Sequence, residues 1–267
     1  MPYTQNGGTR LFWKASGAGP AVLLIHGLGY PHDMWHRTVP ALSHRYRVIR
    51  LDNRGVGMSD VPSVAYRVSD MVEDAVAVLD AAGVDAAHVV GASLGGAIAQ
   101  EFALRHQPRV RGLVLVCTLC GGRRTVQAEP EVGAKLLARA RMPAEQGIRV
   151  MNPYVYDPGT PKELIDEDLA IRLRTYPSTQ GYLGQLQALQ SWSSYDRLSE
   201  ITVPTLVIHG ESDRLVPPEN GRIIAERIPG ARLVLIPRAS HILFTDQPEA
   251  VHGAMLGFLD ELRPSGP

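Results

Sequence analysis

Cysteine and net charge are both scarce in this sequence. Only two cysteines, Cys117 and Cys120, occur in 267 residues, which is too few for a disulfide framework. They form a C-x-x-C, but no second pair or spaced histidine cluster completes a zinc site. The 27 Lys and Arg residues equal the 27 Asp and Glu residues, which removes the attraction that nucleic acids and anionic membranes need. We therefore expect no bound metal and no nucleic-acid partner.

Long apolar runs and targeting signals are also missing. No apolar stretch approaches the roughly 20 residues of a membrane span. Residues 1–6 are polar and lack the charged-then-apolar layout of a secretory signal. The sequence contains no H-E-x-x-H, no phosphate-binding loop and no dinucleotide G-x-G-x-x-G in a strand context. We therefore expect a cytoplasmic protein with no membrane association and no cofactor.

What is present is the pattern of an α/β domain. The chain is 45% hydrophobic and 20% charged, as in ordinary globular proteins. Apolar runs typical of buried strands alternate with segments of helical spacing, one of which begins at Ser69. This alternation predicts a mostly parallel sheet covered by helices on both sides. The strand-like runs lie at residues 9–15, 21–25, 46–51, 87–90, 111–116, 204–209 and 232–236.

One long stretch breaks this alternation. Between Gly122 and Glu200 the sequence has no strand-like run and instead contains amphipathic helical segments. We predict that residues 1–121 and 201–267 form one core domain and that residues 122–200 are a helical lid inserted into it. Ligands of open α/β folds bind beyond the carboxyl ends of the strands, where such an insertion lies. The predicted helical segments are 131–141, 144–151, 162–175 and 181–192.

The core contains the pattern Gly91-x-Ser93-x-Gly95 between a short apolar strand and a helix. This is the nucleophile-elbow pattern, in which a sharp turn lifts the serine hydroxyl clear of the sheet. Glycine on either side removes the Cβ atoms that would clash where strand and helix cross. The amide of Leu94, at the helix N-terminus, would point toward an oxyanion formed at Ser93.

A serine nucleophile needs a general base that is itself held by a third group. Of the nine histidines, we select His241, because it follows the last strand-like run. Asp213 lies in the turn after the strand at 204–209, and Glu211 is the alternative acid. The order Ser93, Asp213, His241, with each residue after a separate strand, is the order of an α/β-hydrolase triad.

These motifs together resemble the α/β-hydrolase superfamily, in the branch that contains carboxylesterases and 3-oxoadipate enol-lactonases. The resemblance spans nearly the whole chain outside the insertion, and it implies the α/β-hydrolase fold. It further implies that the Leu28 amide supplies a second oxyanion donor and that Arg54 braces the neighbouring loop. The matching segments are 26–29, 52–59, 91–96, 210–213 and 240–241.

The expected function is hydrolysis of a carboxylic ester or lactone through a Ser-His-Asp triad and an acyl-enzyme. A perhydrolase without cofactor or a C–C bond hydrolase would use the same triad. A small-molecule receptor with a retained triad is an alternative of a different class. The expected partner is a small-molecule substrate, and the oligomeric state is not predicted.

The pocket is predicted from side chains near the triad and in the insertion. We expect His26, Tyr154, Trp192 and Ile242 to contact substrate, because pocket walls are mostly apolar and aromatic. A dianionic lactone would also need paired cations from the insertion. The arginines considered for this role are Arg123, Arg124, Arg141, Arg149, Arg172 and Arg174.

Overall fold

Eight strands form one sheet in the computed structural model, which describes residues 2–263. The spatial order is β1-β2-β4-β3-β5-β6-β7-β8. β2 runs antiparallel to both of its neighbours, and β3 to β8 are mutually parallel. The strands are β1 (Tyr3–Asn6), β2 (Thr9–Ser16), β3 (Ala21–Ile25), β4 (Arg47–Leu51), β5 (Ala87–Ala92), β6 (Val110–Val116), β7 (Thr205–Gly210) and β8 (Arg232–Ile236).

Helices cover both faces of the sheet. In chain order they are α1 (Thr38–Ser43), α2 (Val68–Ala81), α3 (Leu94–Arg105), α4 (Pro130–Ala138), α5 (Ala144–Arg149), α6 (Asn152–Val155), α7 (Lys162–Arg174), α8 (Thr179–Gln190), α9 (Glu219–Arg227), α10 (Leu243–Asp246) and α11 (Pro248–Glu261). None of the helices within residues 2–263 is long and apolar enough to cross a bilayer. The prediction of a mostly parallel sheet flanked by helices, in the α/β-hydrolase arrangement, is confirmed.

The two faces of the sheet bury different sets of side chains, because successive residues of a strand point to opposite sides. On one face, Leu23 and Val89 pack in a cluster with side chains of α2, α3 and α9. On the other, Val22, Val90 and Val114 pack with side chains of α1 and α11. Every residue of β3 and β5 is buried, which explains the uninterrupted apolar sequence of β3.

The helices α4 to α8 lie between β6 and β7, in the stretch where the sequence predicts helices only. At the base of this insertion, Gly121 and Ser193 form an isolated antiparallel bridge. Their pairing brings the two ends of the insertion together beside the carboxyl end of β6. The helices α4 to α8 therefore start and finish beside the carboxyl end of β6, before the chain returns to the start of β7.

Two local predictions differ from the structure. β1 pairs with β2, although its half-exposed sequence has no apolar run. α2 begins at Val68 rather than Ser69, and the carboxylate of Asp70 accepts a hydrogen bond of 2.7 Å from the Arg67 amide. An acidic side chain three residues into a helix reaches back to the first unpaired amide in this way, so Ser69 is not needed as the cap.

Candidate active site

Ser93 occupies the turn between β5 and α3. Its backbone has φ 56° and ψ −119°, in a region that residues with a Cβ rarely adopt. A Cβ on Gly91 would overlap the carbonyl group of Gly95, and a Cβ on Gly95 would overlap the carbonyl of Ile25. Gly91 is therefore required for α3 to cross β5 this closely, and Gly95 is required for α3 to approach the end of β3.

Two hydrogen bonds to neighbouring residues hold the strained turn at Ser93. The Ser93 amide donates to the Val116 carbonyl at 2.9 Å, and the Thr118 hydroxyl donates to the Ser93 carbonyl at 2.7 Å. A Cβ on Gly27 would lie 2.9 Å from the Ser93 Cβ. The loop after β3 therefore passes directly against Ser93.

His241 and Asp213 are brought together from the loops after β8 and β7. His241 Nδ1 lies 2.8 Å from Asp213 Oδ2. The other carboxylate oxygen, Oδ1, accepts hydrogen bonds from the amides of Leu215 at 2.9 Å and Val216 at 2.8 Å. Glu211 is exposed, so the geometry favours Asp213 over Glu211 as the partner of His241.

The carboxyl group of Asp213 is ionised in this setting. Burial alone raises its pKa, but His241 and His209 together outweigh burial and lower the pKa to about 2. Because an ionised carboxylate only accepts hydrogen bonds, the proton between the two residues belongs to His241 Nδ1. That assignment leaves His241 Nε2 as the basic nitrogen.

His209 is a residue near the triad that the sequence analysis does not single out. Its Nε2 lies 2.8 Å from the Val216 carbonyl and 3.4 Å from Asp213 Oδ2. A carbonyl can only accept, so Nε2 carries the proton. His209 is the penultimate residue of β7, four positions before Asp213, and this spacing is the only sequence signal for it.

Ser93 and His241 line one cavity of about 570 Å³, a volume typical of small-molecule sites. The hydrogen bonds formed within residues 2–263 do not include one between these two side chains. Such contacts are often long in ligand-free enzymes and shorten when substrate binds. The structure thus joins Asp213 to His241 directly and places Ser93 on the same cavity.

The predicted oxyanion residues flank Ser93. Leu94 is the first residue of α3, and Leu28 lines the cavity. The loop that carries Leu28 is held by Gln185 of α8, whose side-chain oxygen accepts from the Gly29 amide at 2.8 Å. The Gln185 side-chain nitrogen donates to the Arg54 carbonyl, also at 2.8 Å. Gln185 therefore ties the insertion to this loop, a role that the sequence analysis missed.

Arg54 acts within the protein scaffold. Its guanidinium donates to both carboxylate oxygens of Asp74, at 2.6 and 2.7 Å. In the same loop, the Asn53 side chain donates to the His26 carbonyl at 2.9 Å. These bonds fix the segment after β4 against α2 and against the end of β3, as expected for a brace.

The four residues predicted to contact substrate are not among those that line the cavity. His26 is buried, its ring stacks on Tyr30 with centroids 4.8 Å apart, and its Nδ1 accepts from the Gly27 amide at 2.7 Å. Burial, with a smaller contribution from Arg172, lowers the His26 pKa to about 3. The imidazole of His26 is thus a neutral packing element.

The other three predicted pocket residues face protein partners. The Tyr154 hydroxyl donates to Glu131 at 2.9 Å, and Trp192 Nε1 donates to Glu101 at 2.9 Å. Ile242 belongs to a buried apolar cluster that also contains Tyr30 and Met151. These side chains therefore make their contacts within the protein and not on the wall of this cavity, and the contact of the four residues with substrate stays a prediction.

The two cysteines are packing residues of the interior. Both Cys117 and Cys120 are free and buried, and burial raises the pKa of each thiol. Across residues 2–263, no group of three or more His, Cys, Asp or Glu side chains is arranged to hold a metal ion. The cavity lined by Ser93 and His241 is therefore the candidate active site.

A family model described as "Alpha/beta hydrolase family" matches residues 22–254. The chain belongs to the alpha/beta hydrolase family. The matched region covers β3 to α11 and includes Ser93, Asp213 and His241. As a member of this family, the chain is a hydrolase, which confirms the coarser part of the functional expectation.

Individual relatives of this alpha/beta hydrolase carry several activities. The chain is 35% identical over 94% of its length to a 2-hydroxy-6-oxononadienedioate/2-hydroxy-6-oxononatrienedioate hydrolase of Burkholderia vietnamiensis, of which 91% is covered. It is 30% identical over 87% of its length to a pimeloyl-[acyl-carrier protein] methyl ester esterase of Aeromonas hydrophila, of which 92% is covered. The crystal structure of an enol-lactonase from Burkholderia xenovorans superposes with TM-score 0.87 at 28% identity, covering 97% of this chain and 100% of that one.

Proposed function

We propose that this alpha/beta hydrolase cleaves a carboxylic ester or lactone through an acyl-enzyme on Ser93. The observation that carries the proposal is the 2.8 Å contact between His241 Nδ1 and Asp213 Oδ2 beside a cavity that Ser93 also lines. A serine hydroxyl is a weak nucleophile without an adjacent base. The arrangement supplies that base and the anion that orients it.

The proposed reaction has two halves. In the first, His241 Nε2 removes the hydroxyl proton as Ser93 Oγ attacks the carbonyl carbon, and the protonated imidazole then gives that proton to the leaving oxygen. In the second, His241 deprotonates a water that attacks the acyl carbon, and the imidazolium then gives that proton to Ser93 Oγ as the bond to the acyl group breaks and the acid is released. The amides of Leu28 and Leu94 stabilise both oxyanions, and removing one such donor typically costs about 10²–10³ in rate.

We further propose that residues 122–200 act as a lid over residues 1–121 and 201–267. The cavity wall is shared between them: Ser93 and His241 come from the core, while Leu136 and Leu186 come from α4 and α8 of the insertion. Apolar side chains from the insertion exclude water from the reacting carbonyl, which strengthens the oxyanion interactions. Substrate selection then depends mainly on the insertion.

The names of the relatives define the competing reactions. One relative is named as a 2-hydroxy-6-oxononadienedioate/2-hydroxy-6-oxononatrienedioate hydrolase, and another as a methyl ester esterase. The neighbouring crystal structure is of an enol-lactonase. Ester and lactone cleavage is supported by two of these three names, and C–C bond hydrolysis is the second candidate.

The decisive experiment is an activity assay of the purified protein. The substrates are p-nitrophenyl esters of graded chain length, a lactone panel and a 2-hydroxy-6-oxo-dienoate. We expect multiple turnovers on an ester or lactone, and a loss of at least about 10³-fold in kcat for Ser93→Ala. The matched control is Ser63→Ala, because Ser63 is exposed. Equal activity of the wild type and Ser93→Ala would end the proposal, and a single turnover would indicate a receptor.

Two further measurements test the remaining members of the triad. A serine-directed phosphonate should label Ser93 in the wild type and should not label it in His241→Ala. Asp213→Asn should lower kcat by about 10⁴-fold, whereas Glu211→Gln should stay close to the wild type. The reverse order for the two acidic residues would assign the orienting role to Glu211.

A further inference from the structure

The charged residues that line the cavity are all of one sign. Two arginines, Arg123 and Arg139, line it together with Ser93 and His241, and no Asp or Glu side chain does so within residues 2–263. Arg123 is exposed, whereas Arg139 is only 3% exposed. The cavity thus presents one surface cation and one buried cation to whatever enters it.

The guanidinium of Arg139 has no counterion in the part of the chain that the structure describes. No carboxylate there forms an ion pair with it, and its Nε and Nη2 are buried without a hydrogen-bond partner. It lies over the ring of Tyr182, 5.1 Å from the centroid. A ring face attracts a cation but accepts none of its in-plane hydrogen bonds. Burial lowers the pKa of the Arg139 guanidinium, but Tyr182, Tyr30 and Tyr176, the last through a hydrogen bond, outweigh burial and raise it, so the group stays charged. Its charge is thus met by neutral phenol groups and not by an anion.

Arg172 shows what distinguishes Arg139. Arg172 is also buried, its three side-chain nitrogens lack hydrogen-bond partners, and it lies 4.3 Å from the Tyr30 centroid. It does not line the cavity, so no ligand in the cavity reaches it without a rearrangement. Of these two buried arginines, Arg139 is the one that lines the cavity of Ser93.

We propose that Arg139 binds a carboxylate of the substrate, so that the molecules this enzyme cleaves carry an acid group in addition to the ester or lactone. The inference rests on the function proposed above and specifies its substrate class. A guanidinium presents parallel N–H donors that match a carboxylate. Because the surrounding wall is largely apolar, a carboxylate placed there gains a strong, poorly screened interaction.

The test compares anionic with neutral esters. In one pair the acid is in the acyl part, with the p-nitrophenyl half-ester of glutaric acid against p-nitrophenyl butyrate. In the other pair the acid is in the alcohol part, with 4-carboxyphenyl butyrate against phenyl butyrate. For one of the pairs, we expect Arg139→Gln to lower the anionic-to-neutral ratio of kcat/KM by about tenfold to a hundredfold, mainly through KM. The pair that responds identifies the part of the substrate that carries the acid.

Control variants separate charge from packing. Arg111→Gln removes an exposed arginine that does not line the cavity, and its ratios should match those of the wild type. Arg139→Lys keeps the charge and should restore part of the lost ratio. Glutarate should inhibit the wild type competitively against p-nitrophenyl butyrate, whereas neutral glutaramide should not, and this comparison remains informative if Arg139→Gln fails to fold.

The outcomes distinguish this inference from the proposed function. If Ser93→Ala abolishes hydrolysis but the ratios are the same in the wild type and Arg139→Gln, the subsite proposal is overturned and the esterase proposal stands. Equal inhibition by glutarate and glutaramide, or none by either, also overturns the subsite. Activity that persists in Ser93→Ala overturns the proposed function instead.

Discussion

The carboxylate of Asp213 shows how a buried charge is stabilised by its immediate neighbours. It receives two backbone amides, and it lies 2.8 Å from His241 Nδ1 and 3.4 Å from His209 Nε2. Burial alone raises its pKa, yet these donors hold the pKa at about 2. The carboxylate that we propose orients the base therefore also contributes to the stability of the fold.

The first prediction concerns the pH dependence of that contribution. Because the folded-state pKa of Asp213 lies below the ordinary 3.8, the stabilisation is complete above about pH 4 and is lost as the pH falls toward about 2. A depression from 3.8 to about 2 corresponds to about 2 kcal/mol. We expect Asp213→Asn to lower the free energy of unfolding by this amount at neutral pH.

Urea denaturation between about pH 7 and pH 3 measures the difference between wild type and Asp213→Asn. The difference should shrink on the acid side of about pH 4. Asp196→Asn, at an exposed position, serves as the control and should show no such trend. A difference that stays constant or grows toward acid pH would contradict the ionised state assigned to Asp213.

At the scale of elements, α8 is the helix that joins the insertion to the loop carrying Leu28, the proposed oxyanion loop. A Cβ on Gly181 would overlap the backbone of Gly55, so the start of α8 lies directly against the loop after β4. One turn later, Gln185 bridges the Gly29 amide and the Arg54 carbonyl, each at 2.8 Å. Gln185 is completely buried, so water does not replace these bonds.

We predict that Gln185 is a positioning residue for the oxyanion loop. In Gln185→Ala, the Gly29 amide loses its acceptor and the neighbouring Leu28 amide is less well fixed. Small displacements of catalytic groups cost up to about 10²-fold, so we expect kcat to fall by about tenfold to a hundredfold with a smaller change in KM. Steady-state kinetics on the best ester, with thermal melting of each variant, provide the measurement.

Gln187→Ala is the matched control, since Gln187 lies on the exposed side of the same helix. Its kcat should remain within about twofold of the wild type, as is usual for exposed positions. If Gln185→Ala lowered the melting temperature but left kcat unchanged, Gln185 would be a structural residue only.

Sequence patterns predict the strands that carry the site but not the walls of its cavity. The strands before Ser93, Asp213 and His241 are predictable because each is a short apolar run that ends in turn residues. The pocket walls are not predictable in this way. Whether Tyr154 faces the cavity or Glu131 depends on how the inserted helices pack, which spacing along the chain does not encode.

Arg139 lies seven residues after the buried Val132 of α4, so helical spacing places both on one face, and both are buried. Sequence reasoning passes over Arg139 because an arginine is almost never buried without a partner. The strand β1 is not predictable from its own sequence because it has no apolar run, and its pairing with β2 and the bond from Asn6 to Asp74 hold it in place.

At the scale of the whole molecule, one buried ion pair connects parts of the chain that are distant in sequence. Asp74 on α2 binds the Arg54 guanidinium at 2.6 and 2.7 Å, and it also accepts from the Asn6 side chain of β1 at 2.9 Å. The Arg54 carbonyl in turn accepts from Gln185 of the insertion. The N-terminal strand, α2, the loop after β4 and the insertion thus share a single polar junction.

Removing one partner of this junction should destabilise the protein strongly, because the other charge stays buried without compensation. We expect Arg54→Met to cost about 3–5 kcal/mol, which lowers the melting temperature by about 10 °C for a chain of this size. The double variant Arg54→Met/Asp74→Leu should lose less than the sum of its two single variants, since no charge is then left unpaired. Glu261→Gln breaks an exposed pair with Arg232 and should cost at most about 1 kcal/mol. Calorimetry of the four variants measures these differences, and additive losses in the double variant would show that Arg54 and Asp74 stabilise the fold independently.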